Sequence, residues 1–234
     1  MSEEITIEKS AGRSARILVR DLYSVGEEIA NALTHGIGAL LGVVALTLMI
    51  VMSARYSDAA RLISALIYGS SLVLLYLTST LYHSIQSPRA KKLFQILDHC
   101  AIYILIAGTY TPFMLISLKG TWGYSLLVAI WSLAIFGIVF KAIFHDRYAK
   151  VSLFTYLAMG WLCVLVGGEM LTKIPAGGLW FLLAGGLAYT FGTIFFAMER
   201  LPYNHAIWHL FVLAGSVFHF FAIYQYVLPS EVAV

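Results

Sequence analysis

By length alone, 234 residues would suit one or two water-soluble domains. The composition excludes a water-soluble monomer: 60% of residues are hydrophobic and 12% charged, against about 45–50% and about 25% in soluble domains, and the mean hydropathy is +0.84. Two cysteines and five prolines exclude a disulfide scaffold or a collagen, and a net charge of +3 is too small to imply nucleic acid as a partner.

A transmembrane helix needs about 20 mostly apolar residues. The chain opens with 22 polar residues that lack the apolar stretch of a cleaved secretory signal. Within them, Ser14–Tyr23 mixes Arg16 and Arg20 with Ile17, Leu18 and Val19, and is expected to lie on the membrane surface. Seven apolar runs follow, predicted at Ile29–Met52, Leu62–Ile85, Leu93–Ser117, Trp122–Phe144, Ser152–Leu171, Leu179–Met198 and His205–Val227. They show no alternation of period two, so helices rather than barrel strands are expected. The predicted organisation is a polar segment 1–22, an all-α seven-helix transmembrane bundle 23–228 and a short tail 229–234. Gly38 and Gly42, and Ala184, Ala188 and Gly192, are four apart and suit close helix packing.

Lysine and arginine are enriched in cytoplasmic loops. Eleven of the fifteen basic residues fall on the side of the N-terminus, including Arg89, Lys91 and Lys92 and the group Lys141, Arg147 and Lys150; Arg55, Arg61, Lys119 and Lys173 fall opposite. This predicts a cytoplasmic N-terminus and an outer C-terminus, the reverse of G-protein-coupled receptors. A multi-pass protein of the cell membrane follows, the bacterial inner membrane being the expected one. Cys100 and Cys163 both fall within predicted spans and read as buried thiols.

Ionisable groups at membrane depth are costly and point to function. With the predicted orientation, Glu28 and His35 lie in the inner half of the first span, and His83 at the inner end of the second. Asp98 and His99 open the third span, and His205 and His209 the seventh. Four helices thus bring costly groups to one depth. His205 and His209 share a helical face at i and i+4, as do Ser79 and His83. Two imidazoles from one helix and a third from another make a three-nitrogen set that leaves zinc a fourth position for water. Zinc lowers the pKa of such a water to about 7. Asp98 is then the candidate general base or hydrogen-bond acceptor, and Ser79 the candidate donor to a substrate carbonyl or the water. His219 lies fourteen residues beyond His205, about 21 Å along a helix, and is expected to take no part. Glu27 is expected to face headgroups, Glu28 to cap or brace the first span, and Glu169 and His145 to be interfacial.

The chain carries Glu28-x-x-Asn31-x-x-Thr34-His35, Ser79-Thr80-Leu81-Tyr82-His83 and Leu97-Asp98-His99. Gly108-Thr109-Tyr110-Thr111-Pro112-Phe113 and His205-Ala206-Ile207-Trp208-His209 follow, with His219 beyond. This set, from residue 28 to 219, resembles the hemolysin III branch of the progestin and adipoQ receptor superfamily. The resemblance implies a zinc site facing the cytoplasm, held by residues matching His83, His205 and His209, with Asp98 and Ser79 beside the metal-bound water. Adiponectin-receptor relatives and alkaline ceramidases imply hydrolysis of lipid amides. Bacterial members carry associations with cytolysis and with membrane lipid homeostasis.

Three functions are therefore expected. The first is a zinc-dependent intramembrane hydrolase of a lipid amide or ester, its acyl chain lying among the helices. The second is a non-catalytic, zinc-stabilised membrane sensor or regulator. The third is a pore-forming cytolysin, against which seven long spans argue. A membrane lipid is the expected partner, as substrate or ligand, and an oligomer is left open.

Overall fold

The structure, a computed structural model, describes residues 23–145 and 147–229. Most of the Ser14–Tyr23 lead-in and the tail from residue 230 lie outside the described residues. The described chain is helical, with seven helices long and apolar enough to cross a membrane. We number the helices α1 (Val25–Ser53), α2 (Ala59–Ser84), α3 (Pro88–Pro112), α4 (Thr121–Phe144), α5 (Ala149–Gly160), α6 (Gly167–Lys173), α7 (Ala176–Ala197) and α8 (Asn204–Ala222). Helices α3 and α8 run on through π-helical turns at Phe113–Ser117 and Ile223–Val227, and a 3₁₀ stretch at Leu162–Val166 joins α5 to α6 into the fifth span.

The spans begin up to five residues earlier than the apolar runs, because polar residues initiate the helices. Ser24 and Glu27 form a reciprocal capping box at α1: Glu27 N–H donates to Ser24 Oγ at 3.3 Å, and Ser24 N–H to Glu27 Oε2 at 2.9 Å. Asp58 accepts from Ala60 N–H at 2.9 Å to start α2. Pro88 occupies the first turn of α3, where its missing N–H costs nothing.

Each site-bearing helix buries one stripe. On α1 it is Asn31, His35, Gly38, Gly42, Ala45 and Met49; on α8 it is His205, His209, Val212, Ser216 and His219. These intervals of three and four place the polar groups on the inward face. The outward residues are large and apolar, with Leu40 and Phe154 71% exposed and Leu165 75%, as a lipid solvent requires.

Helices α1 and α2, α2 and α3, α3 and α4, and α7 and α8 pack as neighbours, and α1 also meets α8. The first contact depends on Gly38, where an added Cβ would come within 2.5 Å of the Tyr76 ring. Helix α3 is the most enclosed of the spans. The fifth span packs more lightly, and its break is stitched by α3. Tyr110 OH accepts from Cys163 N–H at 2.9 Å and lies 2.9 Å from the Met159 and Gly160 carbonyls, to one of which it donates. Backbone groups freed at membrane depth need such a partner.

Two basic residues counted toward the orientation by sequence, Arg61 next to the second span and Lys141 inside the fourth, are buried in the bundle. Arg61 pairs with Asp58 at 2.6 Å and donates through Nε to the Leu228 carbonyl at 2.7 Å. Lys141 lies within α4, 2% exposed. Neither cysteine is in a disulfide; Cys100 is buried and Cys163 half-buried.

Candidate metal centre

Histidines 83, 205 and 209 each offer one ring nitrogen to a group whose members all lie within 4.8 Å of one another. The three residues are 4%, 5% and 0% exposed. Helix α2 brings His83 from its last turn, and α8 brings His205 and His209 from its first two turns.

The start of α8 is fixed by its surroundings. Tyr203 turns the chain with a left-handed φ of 57°, costly for a side chain of this size. Its N–H donates to Glu27 Oε1 at 3.1 Å, tying this turn to α1. Asn204 Nδ2 donates to the Phe195 and Phe196 carbonyls, both at 3.3 Å, at the end of α7. His205 is thereby set against His83, their ring centroids 5.1 Å apart.

Hydrogen bonds decide which nitrogens face the centre. Glu28 Oε2 accepts from His83 Nδ1 at 2.7 Å, and Lys91 Nζ donates to Glu28 Oε1 at 2.8 Å. Thr34 hands its proton to the Ala30 or Asn31 carbonyl, each at 2.9 Å, so its oxygen accepts from His209 Nδ1 at 3.2 Å. The Asn31 carbonyl also accepts from that nitrogen, at 3.3 Å. With Nδ1 protonated on both rings, each Nε2 keeps its lone pair. Both Nε2 atoms, and both nitrogens of His205, are buried without a hydrogen-bond partner. A buried polar atom left unpaired costs about 1–3 kcal/mol, and one cation among the three rings would offset that cost at one nitrogen of each. The donor set fits a metal favoured by imidazole, zinc among them.

Sequence spacing paired His205 with His209, the family resemblance added His83, and the structure brings the three together. Ser79, one turn before His83 on α2, is fully buried. Asp98 on α3 is 4% exposed, with Ser79, His83 and His99 the nearby polar side chains. Neither Ser79 nor Asp98 belongs to the three-nitrogen group.

Glu28 braces three helices by joining His83 and Lys91 to α1. Glu27 caps α1 and holds the α7–α8 turn. His35, placed by sequence only at the right depth, stacks on His209 with centroids 3.4 Å apart and rings 10° from parallel. Tyr23, just before α1, lies over the cluster, 5.0 Å from His205 and 5.9 Å from His83 between centroids. Its phenol pKa is raised, mainly by burial and then by the nearby Glu28, so the hydroxyl stays protonated. Glu169 pairs with Lys173 at 2.8 Å at the surface, and His145 ends α4.

A cavity of about 420 Å³ lies between α3, the fifth span, α7 and α8, and reaches His35, the ring stacked on His209. His35 and Asp98 line its near end, and Leu105, Ile106, Leu182 and Leu183 are among the apolar residues along its length.

Residues 23–220 match the family model described as haemolysin-III related. The chain belongs to this family. It is 52% identical to Hemolysin-3 of Bacillus cereus over 213 residues, covering 91% of this chain and 97% of the relative. The Hemolysin-3 homolog of Bacillus subtilis (strain 168) is 49% identical over 205 residues, 88% and 96% of the two chains. The human monocyte to macrophage differentiation factor is 32% identical over 210 residues, 87% and 86%. The match to the human protein agrees with the progestin and adipoQ receptor superfamily. The family and the seven apolar spans together make this a multi-pass membrane protein.

Proposed function

We propose that the chain is a zinc-dependent intramembrane hydrolase of a lipid amide or ester, opening to the cytoplasm from the bacterial inner membrane and serving membrane lipid homeostasis. One observation carries the reading: three imidazoles with unpartnered nitrogens stand beside His35, which with the Asp98 carboxylate lines an apolar cavity. From Asp98 to Phe113 the cavity follows α3 into its π-helical turn, a rise of about 22 Å, roughly the length of an extended sixteen- to eighteen-carbon chain.

Zinc, when bound, supplies a Lewis acid that polarises a carbonyl and activates water. His83, His205 and His209 hold it, and Glu28 keeps His83 turned inward. The acyl chain lies along Leu105, Ile106 and Leu182, which exclude water. Asp98 takes the proton of the attacking water as its oxygen bonds to the carbonyl carbon. As the carbon–nitrogen or carbon–oxygen bond breaks, Asp98 returns that proton to the departing amine or alkoxide. Ser79 Oγ orients the water or the carbonyl.

The deep burial of all three histidines favours a second reading, a structural ion in a membrane sensor. A pore, which the names of the Bacillus relatives suggest, has less support, because the leucine-rich cavity suits an acyl chain better than an ion. Asp98→Asn separates the first two. Purified protein is assayed for zinc by elemental analysis and for hydrolysis of N-acyl ethanolamines and ceramides in mixed micelles. The hydrolase reading expects full zinc and a turnover loss of about 10²–10⁴-fold. Wild-type turnover in this variant contradicts it.

A further inference from the structure

The same cavity has a second polar point. His219 lies on the cavity wall beside Tyr189 and is 8% exposed. It is ten residues beyond His209 on α8, about 15 Å along the axis. Its Nδ1 is buried without a hydrogen-bond partner. The nearby hydroxyls already serve one another: Tyr76 OH donates to Ser216 Oγ at 2.7 Å, and Tyr189 OH lies 2.8 Å from the same oxygen.

The packing is shaped around this ring. Tyr189 stacks on it at 5.4 Å between centroids and 24° between planes. Gly185 on α7 leaves it room, since a Cβ there would come within 2.9 Å of His219 Cε1 and Nε2. A leucine could fill this apolar wall without an unpaired nitrogen. A neutral imidazole brings one donor and one acceptor; the Leu182 backbone partners the ring once, Nδ1 is left over, and hydrocarbon offers it nothing.

We propose that His219 is a second recognition point, hydrogen-bonding a hydroxyl carried on the acyl chain of the lipid ligand. The axial separation sets that hydroxyl about 15 Å from the metal-held carbonyl, the reach of roughly a dozen methylenes. The ligand class is then a lipid with a mid-chain hydroxylated acyl group. This rests on the reading that the cavity holds the acyl chain of a metal-bound lipid.

The test uses zinc-loaded full-length protein in detergent and octadecanoyl hydroxamates, which chelate the metal. One has a plain chain; the others carry a single hydroxyl at carbon 6, 9, 12 or 15. Isothermal titration is expected to show the carbon-12 compound binding about three- to tenfold more tightly than the plain chain, one net hydrogen bond's worth. The carbon-6 compound should bind less tightly than the plain chain. His219→Leu should erase the preference at unchanged zinc content, and His219→Gln should keep part of it. The wild-type position series decides the matter even if a variant fails to fold. Zinc-dependent binding of every chain without positional preference overturns the hydroxyl site and leaves the cavity reading standing. No binding of any chain overturns both.

Discussion

Glu28→Gln removes a charge while keeping the side chain's size. In the native protein Glu28 accepts from His83 Nδ1 at 2.7 Å and from Lys91 Nζ at 2.8 Å, with its side chain 18% exposed. Little solvent reaches the carboxylate, so screening by salt is weak. A hydrogen bond to a charged group is worth about 1.5–3 kcal/mol, and about 1.4 kcal/mol is tenfold in an equilibrium constant. The bond orients the ring and raises the basicity of His83 Nε2, so its loss appears in metal affinity. A drop of about 10- to 100-fold follows, the range for partners of metal-bound histidines. A glutamine oxygen still accepts from Nδ1, so Glu28→Gln belongs near the lower bound and Glu28→Ala near the upper. Lys91→Met leaves Glu28 on His83 and should cost less than about threefold, as for a part-exposed ion pair. The assay is competition for zinc against a chelator of known affinity, with circular dichroism as the folding control. Unchanged affinity in Glu28→Ala, or an equal effect from Lys91→Met, would refute the reasoning.

Thr34→Val should weaken zinc binding less than Glu28→Ala does, by about three- to tenfold. The Asn31 carbonyl still accepts from His209 Nδ1, and the same competition titration measures the difference. Tyr110→Phe strips the hydroxyl that stitches the fifth span, costing about 1–3 kcal/mol. The readout is a lower thermal midpoint together with faster amide exchange at Cys163. Gly38→Ala, a change that raises helix propensity by about 1 kcal/mol, should instead destabilise by about 1–3 kcal/mol through overpacking against Tyr76. Thermal unfolding gives the sign directly.

The seven spans were legible because lipid allows only one backbone solution to a continuous apolar run. The break in the fifth span was not. Trp161–Val166 is as apolar as its flanks, and only Gly160, Gly167 and Gly168 hinted at an interruption. What fixes it is a hydroxyl from α3, some fifty residues away in sequence. The i, i+4 pair His205 and His209 was legible from helical periodicity alone. Glu28 and His83 were visible as costly residues at one depth, but their contact spans 55 positions and depends on how α1 meets α2. His35 shows the same limit: depth placed it near the centre, whereas stacking on His209 follows from tertiary packing. Arg61, just before the second predicted span, and Lys141, near the end of the fourth, were read only as charges marking a side of the membrane, because charge at a helix end reads as solvated, and the bundle buries both.

The most direct test is metal content after purification, loading with excess zinc and exhaustive dialysis. Convergence of His83, His205 and His209 on one ion predicts about one zinc per wild-type chain. It predicts loss of that zinc in each of His83→Ala, His205→Ala and His209→Ala, with full content in His145→Gln, at the end of α4. Zinc retained at wild-type stoichiometry in all three alanine variants, or no retained zinc in the wild type, would contradict it.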